Sequence, residues 1–297
     1  MKTCVIYHRV DWDGYTAAAV AKMAFPEAEL IGWTYGDDVP CVSSFDRIIV
    51  VDLSLPEDWM IANASKLVWI DHHKNTIETL EQNKILWAVS GIRRDGIGAC
   101  ALAWQYFFPG EAYPGHVRYV ATADVMDYDG KLISLKQSLA YMLYLDTFGP
   151  GFVKPVGDVS RYHVAQALRL FDNDECTKGF SIGYDLECDR AKHEQTLFEN
   201  AIRCGIGKSP FTACVLRIDG RPNACILTHL LNGTDDVFVC IGDKVGDKYK
   251  ISLRVPRNGI FDASEFCRRF GGNGHIKAAG CLMSSDEILE KFGCLVD

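Results

Sequence analysis

The 297-residue sequence contains no run of 18 apolar residues, so no segment is expected to cross a bilayer as a helix. No secretion signal is expected either, because in MKTCVIYHRVDWDG the residues His8, Arg9, Asp11 and Asp13 arrive before any apolar stretch is complete. None of the 12 cysteines forms a C-x-x-C pair, and several stand inside apolar runs such as TACVLRI and VFVCIG. That pattern argues against a zinc cage or a redox pair and predicts free thiols in a soluble, cytoplasmic protein. A basic excess is also lacking: 31 Lys+Arg stand against 39 Asp+Glu, for a net charge of −8. This balance argues against coating duplex DNA by generic phosphate contacts but not against a nucleotide substrate, since acidic groups gathered around divalent ions invert the local sign. No internal repeat of 20–50 residues is present. What remains is a globular composition, 48% hydrophobic and 24% charged, with length for two domains.

The N-terminal part alternates short apolar runs with helical patterns: TCVIY, TAAAVAKMAF, ELIGWTY, RIIVVDLS, PEDWMIANAS and KLVWIDHH. Such alternation predicts an α/β fold, a parallel sheet with helices on both faces, and RIIVV and KLVWI read as strands buried on both sides. From Ile97 to about Leu145 the pattern turns helical. A Gly/Pro cluster, FGPGFVKPVGD at 148–158, reads as a loop, and RYHVAQALRLF and ECDRAKHEQTLFENAIRC as connecting helices. Then FTACVLRID, NACILT, DVFVCIG and KYKISLRV read as strands, with helices in SEFCRRF and DEILEKF. The expected organisation is a first domain over 1–150, a helical linker over 151–207, and a smaller α/β domain over 208–297.

Acidic and imidazole residues fall where the strands of the first domain should end: His8, Asp11 and Asp13 after TCVIY, Asp52 after RIIVV, and Asp71, His72 and His73 after KLVWI. In an open parallel sheet the crevice beyond the carboxyl ends of the strands is where ligands bind. Crowded carboxylates raise one another's pKa and lose solvation, and divalent ions are the natural compensation. Mostly carboxylate oxygen, some imidazole and no thiolate suits Mn²⁺ or Mg²⁺. A pair of such ions points to phosphoester hydrolysis. Each residue alone also has a local reading: Asp11 and Asp13 as turn or cap residues, Asp52 as a cap for the helix begun by Pro56, and His72 and His73 as a strand-end pair bonded to backbone.

These segments resemble the motifs of the DHH phosphoesterase superfamily, which includes RecJ-type exonucleases, oligoribonucleases, cyclic-dinucleotide phosphodiesterases and manganese pyrophosphatases. HRVDWDG at 8–14 is similar to the first motif, VDLS at 51–54 to the second and DHH at 71–73 to the third. The fourth is a lone Asp in a helical segment, matched best by Asp124 in YVATADVMD, with Asp127 as its neighbour. His8 precedes Asp11 by three positions, where many members have four or two. GGNGHIKAAG at 271–280 resembles the glycine-rich signature of the associated substrate-binding domain. The resemblance implies two Mn²⁺ ions, with Mg²⁺ as a substitute. His8, Asp11 and Asp52 would hold one, and Asp13, Asp52, His72 and Asp124 the other, Asp52 bridging. It further implies that Asp71 orients His72, that His73 faces the scissile phosphate, and that a metal-activated hydroxide attacks.

In the second domain, Gly271, Gly272, Gly274 and His275 are expected to present N–H groups to an anion, and Arg254 to grip phosphate, although a plain helix-to-strand turn accounts for the glycines alone. Lys74, Arg93, Arg94 and Lys277 read as solvated charges, and Arg268 with Arg269 as a helix face. The glycine-rich signature resembles that of the nucleic-acid and nucleotide phosphodiesterases and differs from the manganese pyrophosphatases. The expected activity is hydrolysis of phosphodiester bonds in short oligonucleotides or small nucleotides. Two alternatives remain: a phosphomonoesterase or exopolyphosphatase-like hydrolase, and a non-catalytic metal-dependent nucleotide binder. Oligomeric state stays open, a homodimer included.

Overall fold

The computed structural model describes residues 1–80, 82–148, 160–218 and 226–293. The chain divides into two compact units, Met1–Gly183 and Tyr184–Asp297. In the first, strands β1 (Thr3–His8), β2 (Glu29–Trp33), β3 (Arg47–Val51) and β4 (Leu67–Ile70) form a parallel sheet in the order β2-β1-β3-β4. Its helices are α1 (Trp12–Ala24), α2 (Glu57–Asn63), α3 (Lys74–Leu80), α4 (Lys84–Trp87), α5 (Ala99–Phe107), α6 (Gly115–Asp124), α7 (Leu135–Phe148) and α8 (Ser160–Arg169); α9 (Asn173–Glu199) runs from the first unit into the second. Of the Gly/Pro loop expected at 148–158, Phe148 closes α7 and the rest lies outside the described residues.

Both faces of the parallel sheet are covered, as its apolar runs require. Val5 and Tyr7 of β1 pack with α1, α5 and α6, while Cys4 and Ile6 face Trp33, Met60 and Trp69 on the other side. Helix α1 is alanine-rich and buried from Trp12 to Ala21, because it is wedged between β1, α5 and α8. Gly14 lets it approach: a Cβ there would lie 2.1 Å from the carbonyl oxygen of His8. The polar side chain of His116 is buried in this unit, its ring 3.0 Å from Thr16 Oγ1 and 2.9 Å from Tyr141 Oη.

Burial lowers the His116 pKa to about 3, so it is neutral when folded at any moderate pH. The unfolded chain takes up this proton near pH 6.5, which draws the equilibrium toward unfolding as pH falls from there toward 3. The stability held by neutral His116 is thus complete above pH 6.5 and declines below it by up to about 1.4 kcal/mol per pH unit. Thermal melting across pH 7 to 4 should show a shallower acid slope for His116→Gln than for the native chain; identical slopes would exclude this origin.

The second unit carries a six-stranded mixed sheet. Its strands are β5 (Ile202–Gly205), β6 (Thr212–Arg217), β7 (Val237–Val245), β8 (Lys248–Arg254), β9 (Asn273–Gly274) and β10 (Ala278–Met283), in the order β5-β6-β7-β8-β10-β9. Helices α10 (Leu227–Asn232), α11 (Ala263–Arg268) and α12 (Ser285–Phe292) accompany it. Two expectations are corrected. The helix read through ECDRAKHEQTLFENAIRC stops at Glu199, and Ile202–Gly205 instead pairs antiparallel with β6. The end of the supposed strand NACILT is the start of α10, a short apolar run being as compatible with a helix as with a strand; Asn223, Ala224 and Cys225 lie outside the described residues. No helix among the described residues is long and apolar enough to cross a membrane. Cys4, Cys41, Cys100, Cys176, Cys214, Cys267 and Cys281 form no disulfide.

Candidate metal centre

The carboxyl ends of β1, β3 and β4 deliver the predicted residues to one place. His8 closes β1, and Asp11 caps α1 by accepting the N–H of Gly14 at 2.9 Å, so its capping role and its place in the cluster coexist. Asp13 follows in the first turn and reaches α5, where it accepts the N–H groups of Ala99 at 2.6 Å and Cys100 at 3.0 Å. Gly98 makes room for this contact, since a Cβ there would meet Ala121 Cα at 2.6 Å and Asp13 Oδ1 at 3.1 Å. The sequence marks Gly98 only as a glycine before a helix, and its role was not legible there. Asp52 follows β3 with φ +62°, a left-handed conformation that non-glycine residues seldom adopt. Helix α2 begins at Glu57 after the N-cap Pro56 and has no side-chain cap, so Asp52 is not its capping residue.

Asp52 faces two groups at once. Its Oδ2 lies 3.6 Å from His8 Nδ1, which is itself 2.8 Å from Asp11 Oδ2. Its Oδ1 lies 2.9 Å from His72 Nε2, which stands 3.5 Å from Asp13 Oδ2 and 3.5 Å from Asp124 Oδ2. Asp124 comes from the end of α6. The neighbouring Asp127 serves a turn instead, accepting the N–H groups of Asp129 and Lys131.

The expected partner of Asp71 is corrected. Asp71 Oδ1 accepts from His73 Nδ1 at 2.8 Å, and it reaches His72 through the backbone N–H at 2.7 Å. The imidazole this carboxylate orients by a side-chain bond is therefore that of His73. Arg93, read as a solvated charge, is half-buried: its guanidinium lies over the Trp69 ring and donates to the Trp69 and Trp87 carbonyls.

Burial and the Asp11 charge raise Asp52 to about 8, even against His8, and burial with the Asp52 and Asp124 charges raises Asp13 to about 7. Burial works against the Asp11 carboxylate too, but His8 and the Gly14 N–H hold it well below the usual range. Burial would lower His8, yet Asp11 and Asp52 keep it well above its ordinary value. Asp71 stays low against its burial because His73 and His72 face it. Without a cation the cluster therefore stores protons on carboxylates that would otherwise repel. Among the described residues, Asp52 Oδ2 and Asp71 Oδ2 are buried and meet no hydrogen-bond donor. The ligand atoms of His8, Asp11 and Asp52 lie within 4.8 Å of one another, and so do those of Asp13, His72 and Asp124. Oxygen-rich sets with one imidazole each fit Mn²⁺ or Mg²⁺.

The residues expected to bind substrate lie in the second unit. Arg254 ends β8, opposite Phe238 and Ala278, and donates to the Leu253 carbonyl. Gly271 turns the chain after α11 with φ +70°. A Cβ at Gly272 would lie 2.1 Å from the Gly280 carbonyl oxygen, and one at Gly274 2.5 Å from Ala279 Cα, so the packing of β9 on β10 demands both glycines whatever the ligand. His275 is buried, and its N–H donates to Ala278 O at 2.7 Å. Lys277, also read as a solvated charge, instead donates to the carbonyls of Pro256, Arg257 and Gly259, tying down the loop after β8.

No protein-family model matches the chain, and no curated protein matches it. Solved structures do. A pGpG-specific phosphodiesterase, PggH of Vibrio cholerae, aligns over 96% of this chain and 94% of its own, with TM-score 0.50 and 14% identity. The DHH domain of a member of a ribosomal-protein family aligns over 95% of this chain and 83% of its own, with TM-score 0.53 and 14% identity. The chain shares its fold with this phosphodiesterase and with this DHH domain.

Proposed function

We propose that this chain is a divalent-metal-dependent phosphoesterase that hydrolyses phosphodiester bonds of short oligonucleotides or small nucleotides. The observation that carries this reading is the placement of Asp52, with one oxygen toward His8 and Asp11 and the other toward His72, Asp13 and Asp124. His8, Asp11 and Asp52 would hold one ion, and Asp13, Asp52, His72 and Asp124 a second. Two such ions, when bound, lower the pKa of water and offset the charge of the phosphoryl group. Asp71 accepts from His73 Nδ1 and so fixes the ring proposed to face the scissile phosphate. Asp13 is itself fixed by the amides of α5, so it needs little reorganisation to ligate. In the second unit, Arg254, His275 and the turn at Gly271, Gly272 and Gly274 are the proposed phosphate-binding groups.

A small substrate is supported by the fold's likeness to a pGpG-specific enzyme and by the net charge of −8 without a concentrated Lys/Arg run. A long strand needs a basic track. With Mn²⁺ present, the rate on 5′-labelled RNA at fixed concentration should fall at least about tenfold as the substrate lengthens from about two to about twenty nucleotides. Rates independent of length would favour a single-strand channel of the RecJ kind. Phosphate release from a monoester or polyphosphate, with no oligonucleotide cleaved, would favour the phosphomonoesterase alternative.

A further inference from the structure

Beside the carboxylate cluster stands an aromatic ring that the metal chemistry does not use. Tyr35 follows β2 and is 51% exposed. Its ring meets Trp33 at 5.4 Å and His8 at 6.2 Å between centroids, both edge to face.

The loop that carries the ring is stapled. Asp37 accepts from Arg9 Nε at 2.9 Å, Arg9 Nη2 at 2.8 Å and the Thr34 N–H at 3.0 Å. Trp33 Nε1 donates to the Asp38 carbonyl, and Gly36 makes the turn with φ +99°. A tyrosine on a loose loop would lose loop entropy on meeting a ligand; the bonds of Asp37 and Trp33 lower that cost here. Exposed aromatic rings held in place beside a phosphate site are suited to stacking a planar base, since every base has a π-face.

We infer that Tyr35 is a substrate-binding residue, its outer face stacking on the nucleobase attached to the phosphate at the cluster, so that the substrate class is nucleotidic. This deepens, and rests on, the phosphodiesterase reading. Stacking of one base contributes on the order of 1–3 kcal/mol, which is about a 5- to 150-fold change in affinity.

The test compares a 5′-phosphorylated dinucleotide with the same molecule made abasic at the nucleotide whose phosphate is cut, on the full-length Mn²⁺-loaded chain. Native protein should show a KM for the abasic form at least about fivefold above that for the intact one. In Tyr35→Leu, which keeps an apolar contact for Trp33, that ratio should collapse toward one; in Tyr35→Phe it should persist, with thermal melting confirming that both variants fold. Equilibrium affinity for the intact dinucleotide should fall by the same factor in Tyr35→Leu. An unchanged ratio together with unchanged affinity overturns the assignment of Tyr35 while leaving the hydrolase reading intact. Failure of the native protein to cleave either dinucleotide defeats the hydrolase reading, and the affinity comparison still decides the role of Tyr35.

Discussion

Replacing Asp52 with Asn is expected to cut turnover of a dinucleotide by at least about 10²–10³-fold while leaving the fold intact. The two oxygens of Asp52 serve both His/Asp groups, and an amide cannot supply the negative charge that both ions need. Asn is the informative substitution, because the backbone at 52 has φ +62°, a region Asn enters more readily than most residues. Ala would mix backbone strain with loss of charge. The variant also carries a stability signature. Asp52 is raised to about 8 by burial and by the charge of Asp11, so at neutral pH the metal-free protein keeps it protonated. A folded-state carboxyl pKa above the unfolded one costs stability as pH rises past the unfolded value near 3.9. Asn removes this cost, so in chelator Asp52→Asn should melt no lower than the native protein. Steady-state kinetics and thermal melting on one preparation check both points; a near-native rate would show that Asp52 is not the bridge.

Much of this site is legible in the sequence because strand ends are. RIIVV and KLVWI are apolar on consecutive residues, as strands covered on both faces must be, and that pattern alone puts Asp52 and Asp71–His73 at one edge of the sheet. What stayed hidden depends on contacts between segments far apart in the chain. The grip of α5 on Asp13 needs a fold that brings residue 99 to residue 13, and no local pattern announces it. The partner of Asp71 is His73 because of the path the chain takes past the end of β4, which spacing does not record. Ile202–Gly205 extends the pattern of the preceding helix and becomes a strand only because β6 offers an edge to pair with. Tyr35 is one of 12 tyrosines, and only its exposure and anchoring single it out.

Removing divalent metal is the second large expected effect. In excess chelator the dinucleotide hydrolase activity should drop to background, because the proposed attacking water has no other source of activation near neutral pH. Mn²⁺ added back should restore it, Mg²⁺ should serve as a substitute, and zinc alone should serve poorly. The same addition should raise the melting temperature, since an ion that binds only the folded state stabilises it by about 2.7 kcal/mol at 100 times its Kd. Stabilisation without activity would favour a non-catalytic metal-dependent nucleotide binder. Activity that survives chelation would remove the metals from the chemistry.

The most direct measurement is the number of Mn²⁺ ions held per chain, taken by equilibrium dialysis and elemental analysis of the native protein and of Asp52→Asn side by side. A centre organised on one bridging carboxylate should bind about two ions in the native chain and fewer in the variant. No bound ion in the native chain, or an unchanged pair in Asp52→Asn, would contradict it.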